Sequence, residues 1–168
     1  MRLSELLLPE FDLEMANTKK TLERIPGDKF DWRPHEKSMA LGYLARHIAT
    51  LPDWVTLTME KDKYDLAPPD GSTYSVPEAA NTAEVLALFE ESRQHARSAI
   101  AEATDEHFLK PWSLVRGETV LHTNPRFASV RSLLNHGIHH RAQLGVYLRL
   151  NDIPVPSIYG PSADEGSW

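Results

Sequence analysis

The chain has 168 residues, 41% of them hydrophobic and 25% charged, with a net charge of -6, a balance that excludes disordered and fibrous classes and suffices for one self-supporting core. It contains no cysteine, which removes disulfides, thiolate zinc sites, iron-sulfur clusters and a cysteine nucleophile, so any metal must be held by nitrogen and oxygen. Its basic residues are scattered among acids, whereas nucleic-acid backbones are held by clustered Lys and Arg, so no nucleic-acid partner is expected.

The first residues, Met1 to Glu10, carry acids and a proline where a signal peptide needs an apolar centre. No apolar run approaches the roughly 18 to 20 residues of a membrane span. A single cytoplasmic domain over residues 1–168 is therefore expected. Leu7, Phe11, Met15, Thr18, Leu22 and Ile25 step by three and four, which predicts a first helix from about Leu3 to Ile25, stopped by Pro26-Gly27-Asp28. Pro9 is expected to kink this helix or to mark its start.

Ser38 is the expected N-cap of a second helix reaching about Lys61, with Leu41, Leu44, Ile48, Leu51, Val55 and Thr58 as its buried stripe. Pro52 predicts either a kink there or two shorter helices. Residues Asp62 to Asn81 read as a loop too long for a routine turn, crossing over the bundle. Asn81 or Thr82 can cap a third helix to about Ala103, with Val85, Leu86, Phe89, Ala96 and Ile100 turned inward. Aliphatic residues on both sides of Arg116-Gly117-Glu118 suggest an extended excursion or small hairpin across Trp112 to His122. Pro125 suits the first turn of a fourth helix running to about Leu150, followed by a proline-rich tail from Pro154 to Trp168. Four amphipathic helices define an all-α four-helix bundle, a fold whose sites are built from inward side chains.

The chemistry lies in Asn135-His136-Gly137-Ile138-His139-His140-Arg141-Ala142-Gln143. His136 and His140, four residues apart, present their rings one turn apart on the face that carries Leu133, Gly137, Leu144 and Tyr147, which makes a two-imidazole clamp. Chance produces such pairs often, and a lone core histidine is usually satisfied by a carbonyl. His47, however, sits among apolar positions of the second helix, and three inward histidines on two facing helices are better explained by an ion. His139 falls off the clamp face and is expected at its margin or on the surface. His35, His95, His107 and His122 lie in polar surroundings and are assigned no role beyond local hydrogen bonds.

The stretch from His136 through Gln143-Leu144-Gly145-Val146-Tyr147 to Ile158-Tyr159-Gly160 resembles the DinB-like metalloprotein family, and the order of helices extends the likeness to the whole chain. The resemblance implies a down-up-up-down four-helix bundle in which His47, His136 and His140 bind a divalent cation, usually nickel or zinc and sometimes iron or manganese. Relatives include metal-dependent thiol transferases and isomerases acting with glutathione, mycothiol or bacillithiol, so the resemblance implies a thiol S-transferase or hydrolase. A non-catalytic metal-binding or stress-response protein is the alternative, and relatives often pair as homodimers.

Three neutral imidazoles leave an ion its charge and at least one open position. Gln143 and Arg141 are candidates to orient the ligands and Trp54 to wall a pocket. Against these stand plainer roles: a hydrogen bond within the bundle for Gln143, a surface acid for Arg141, the core for Trp54. Tyr159 is expected to pack the tail on the bundle.

Overall fold

Helix α1 forms over Leu3–Leu22 in the computed structural model, which describes residues 1–167, so that Trp168, the last residue of the expected tail, lies outside the described residues. The Glu5 carboxylate accepts from the Arg2 backbone N–H at 3.0 Å, the reciprocal half of a capping box. Pro9 neither starts nor breaks the helix. Pro9 and Glu5, the residue whose carbonyl loses its partner to the proline, are both exposed, so water can satisfy that carbonyl. The helix ends three residues before the periodicity does. Arg24 and Ile25 donate to Thr21 and Leu22 at 3.2 Å, a tight last turn that still buries Ile25.

Helix α2 spans Leu41–Glu60 in one piece through Pro52. Its predicted stripe is buried throughout. Ser38 is not its cap: Ala40 holds that position without a side-chain bond. Instead the Leu41 N–H donates to the Trp32 carbonyl at 2.8 Å and Gly42 to Phe30 at 2.9 Å, so the preceding linker satisfies the free donors that a serine would otherwise serve. Gly42 is required by this packing, because an added Cβ would lie 2.5 Å from Phe30 Cδ1.

The long connection after α2 is not wholly loop. Lys63–Asp65 forms strand β1. Helix α3 follows over Thr82–Glu102, capped as expected by Asn81, whose side chain accepts from the Glu84 N–H at 3.0 Å. A short helix α4, Asp105–Leu109, was not anticipated, although Thr104 caps it through the His107 N–H at 3.1 Å. The predicted hairpin is present as β2 (Pro111–Arg116) and β3 (Thr119–Pro125). Gly117, at φ +57°, makes the reversal that other residues resist. Strand β1 pairs parallel with β2, giving a three-stranded sheet in the order β1-β2-β3. The all-α expectation is corrected accordingly: among the described residues the fold is helix-rich, with five α-helices and a small sheet.

Helix α5, Arg126–Leu150, starts directly after Pro125. Helices α1 and α2 each pack against both α3 and α5. Leu7, Phe11, Leu22, Leu41, Leu44, Val85, Phe89 and Leu144 belong to the core between them. The first residue of α5, Arg126, is 2% exposed. Its guanidinium donates to the Thr58 and Lys61 carbonyls, each at 2.6 Å, and to Asp62 at 2.6 Å. A buried cation thus caps the end of α2, where free carbonyls favour positive charge, and locks the start of α5 to it. No described helix is long and apolar enough to cross a membrane.

Candidate metal centre

His47 on α2 and His136 and His140 on α5 are brought together as the spacing predicts. The His47 ring centroid lies 4.7 Å from that of His140 and 5.5 Å from that of His136. One nitrogen from each ring falls within 4.8 Å of the others. Ligands about 2.1 Å from one ion stand at most about 4 Å apart, so small ring rotations complete the convergence. The cluster does not sit in the deep interior that the helical stripe suggested. His140 is buried, His47 half-buried and His136 exposed, so the three line an opening at the margin of the core.

Tautomer and charge both suit ligation. The Gln143 Oε1 atom accepts from His140 Nδ1 at 2.8 Å, which keeps the proton on Nδ1 and leaves the Nε2 lone pair facing His136 Nε2, 2.7 Å away. Burial, then the neighbouring His140 and His136, push His47 down from 6.5 to about 4. His136 is also lowered, first by the covered part of its ring and then by His140 and His139. Neutral imidazoles at neutral pH are the form that binds metal.

A cavity of about 430 Å³ opens beside the cluster. Helix α2 contributes His47, Leu51 and Trp54 to its wall, and α5 contributes Ser129, Ser132, Leu133 and His136. The opposite wall is the hairpin. Trp112 pairs with Asn124 and Leu114 with His122 across β2 and β3, so these four side chains share one face, and all four line the cavity. His122 therefore belongs to the site's wall, contrary to the sequence reading. Strand alternation was the available signal, but it does not tell which face turns inward. Tyr64 meets the Trp54 ring edge-on and Tyr74 meets it tilted, at centroid distances of 4.7 and 5.4 Å. Tyr74 and Ser92 donate to the two oxygens of Asp53 at 3.2 and 2.8 Å, fastening the crossing loop to α2 and α3.

Arg141 takes neither role considered for it. Its side chain is buried and pairs with the equally buried Glu14 at 2.7 Å. It also donates to the Glu14 carbonyl at 3.0 Å and to the Tyr159 hydroxyl at 2.6 Å. Tyr159 in turn donates to the Glu14 carboxylate, at 2.9 and 2.8 Å from its two oxygens, and so ties the tail to α1 as expected. His139 is exposed, with its ring 5.0 Å from that of His140. His35 Nδ1 accepts from the Lys37 N–H at 3.1 Å, His107 Nε2 donates to the Met59 carbonyl at 2.7 Å, and His95 is exposed.

The chain is thus a helix-rich protein in which α2 and α5 gather three imidazoles at the mouth of a largely apolar cavity. It belongs to the DinB family, whose family model matches residues 2–167. An uncharacterized protein, YrdA, of Bacillus subtilis strain 168 is 25% identical over 158 residues, covering 94% of this chain and 89% of that protein. A DinB-like protein from Bacillus cereus has the same fold, with a TM-score of 0.71 at 22% identity over 90% of this chain and 95% of its own. A DinB-like protein from Bacillus subtilis superposes with a TM-score of 0.68 at 19% identity, over 90% and 96% of the two chains.

Proposed function

We propose that this protein is a divalent-metal-dependent enzyme acting on a small molecule, a thiol S-transferase or a hydrolase, built on a down-up-up-down four-helix bundle. The observation that carries the reading is the convergence of His47, His136 and His140 on one point beside an open cavity. The donor set fits a first-row ion of the nickel, zinc, iron or manganese series, because all three donors are imidazole nitrogens and one is already oriented from behind by Gln143. When bound, such an ion supplies Lewis acidity and lowers the pKa of a coordinated water or thiol. The chain's own part is to hold the three rings, to keep His140 in its Nδ1–H form, and to shield the reacting groups from water with Trp54 and the hairpin. A cytoplasmic homodimer is the proposed state; Leu6 and Leu13, both 55% exposed on one face of α1, favour self-association, and light scattering tests it.

Elemental analysis of protein purified without an affinity tag, with zinc calorimetry on wild type and on His47→Ala and His136→Ala, tests the site. One ion per chain, lost in both variants, is expected. Turnover of thiols with electrophiles, or of ester and amide substrates, abolished by chelation and restored by metal, is expected of the enzyme. A melting temperature that falls on chelation, with no turnover across the panel, would instead identify a non-catalytic metal-binding protein.

A further inference from the structure

The cavity beside the histidines carries its own statement about what it admits. None of the residues lining it is Lys, Arg, Asp or Glu. Its polar groups, Ser132, Asn124 and His122 among them, are hydrogen-bonding side chains, while Trp54, Trp112 and Leu114 supply broad apolar wall. A divalent ion held by three neutral imidazoles keeps its whole positive charge, and no lining carboxylate offsets it. An occupant that brings negative charge at its head is therefore favoured over a neutral one. The rest of it meets indole and leucine, which favour apolar surface and offer nothing to a second ionised group removed from water.

Resting on the metal-centre reading above, we infer that the cavity binds a compact amphipathic monoanion: one anionic head, thiolate or carboxylate, at the three histidines, and an apolar or aromatic body between Trp54 and the hairpin. A peptide thiol with several charges is then a poor occupant of the cavity, since no lining Lys or Arg replaces the water around its carboxylates. The volume of about 430 Å³ accommodates a phenyl-bearing molecule of this kind and lies within the usual range of small-molecule sites.

The test uses the full chain loaded with cobalt(II), whose visible absorption reports on the ligands of the ion, and the fluorescence of the wall tryptophans. Titrations compare 3-phenylpropanoate, 2-phenylethanethiol, acetate and glutathione. Both phenyl compounds are expected to perturb the cobalt bands and quench tryptophan, with affinities at least about tenfold above acetate and glutathione. Leu114→Asp, which puts a negative charge on a half-buried wall position without touching a histidine, is expected to weaken both by at least about tenfold while cobalt still binds. Equal or tighter binding of acetate or glutathione, or phenyl compounds that bind metal-free protein equally well, would overturn the inference. Cobalt that binds at the histidines without this preference defeats the inference alone, whereas failure of cobalt to bind there defeats the metal-centre reading and this one with it.

Discussion

Replacing Arg141 by methionine separates a role at the histidines, for which its position beside His140 made it a candidate in the sequence, from the buried ion pair that it forms. The side chain is buried and its guanidinium holds the buried Glu14 carboxylate at 2.7 Å, the Glu14 carbonyl at 3.0 Å and the Tyr159 hydroxyl at 2.6 Å. With the arginine gone, the carboxylate keeps only the Tyr159 hydroxyl. Removing one member of such a pair costs about 3–5 kcal/mol, most of it the desolvation of the charge left behind. For a domain of this size each kcal/mol moves the melting temperature by about 2–4 °C, so a fall of roughly 10 °C is expected by calorimetry. The double variant Glu14→Leu with Arg141→Met removes both charges and should recover much of that loss, giving a coupling of about 2 kcal/mol or more. Zinc affinity at saturating temperature margins should stay near wild type, because the guanidinium makes no bond to the three histidines. A variant that keeps its melting temperature within about 2 °C but loses zinc would refute this reasoning and return Arg141 to the metal site.

Gln143→Leu removes the acceptor that fixes the His140 tautomer at 2.8 Å; zinc affinity measured by competition with a chromophoric chelator should fall by about 10- to 100-fold with little change in stability. In metal-free protein, the lowering of His47 from 6.5 to about 4 means that the unfolded chain takes up a proton that the folded chain refuses. Stability is therefore full above pH 6.5 and declines as pH falls toward 4, and urea titrations at several pH values should show His47→Gln declining less across that window. Gly42→Ala places a Cβ 2.5 Å from Phe30 Cδ1 and 2.9 Å from Cγ, and should cost about 1–3 kcal/mol in urea denaturation, as overpacking does.

What the sequence disclosed was what is local. The buried stripe of α2 and the clamp of His136 and His140 follow from a 3.6-residue period, and His47 stood out as a polar residue on an apolar face. Asn81 and Pro125 marked the starts of α3 and α5 by ordinary capping chemistry. The misses share a different character. Ser38 obeyed the rule for an N-cap, yet the carbonyls of Phe30 and Trp32 arrive from elsewhere in the linker and serve the same amides. Strand β1 is three residues long and pairs with a segment about 50 positions later, so no window contains its signal. Glu14, Arg126 and Arg141 are charged, and nothing near them in the sequence marks them as buried; only their mutual or carbonyl partners, which lie far along the chain, make burial tolerable.

The same distinction divides the site into two parts. The three histidines belong to α2 and α5, which the Arg126 bonds to Thr58, Lys61 and Asp62 hold together at one end, and the Glu14 pair anchors α5 to α1 immediately after His140. The far wall belongs to the hairpin, whose outer strand β3 is exposed along its whole length and whose turn is pinned by the Gly117 N–H donating to Asp65 at 2.8 Å. Rotating the hairpin would alter Trp112, Leu114, His122 and Asn124 together without displacing any of the three imidazoles. On the proposed metal-centre reading, affinity for an ion and choice of occupant fall to different elements, so substitutions on the hairpin face should change which molecules bind while leaving the metal stoichiometry at the one per chain that the reading expects.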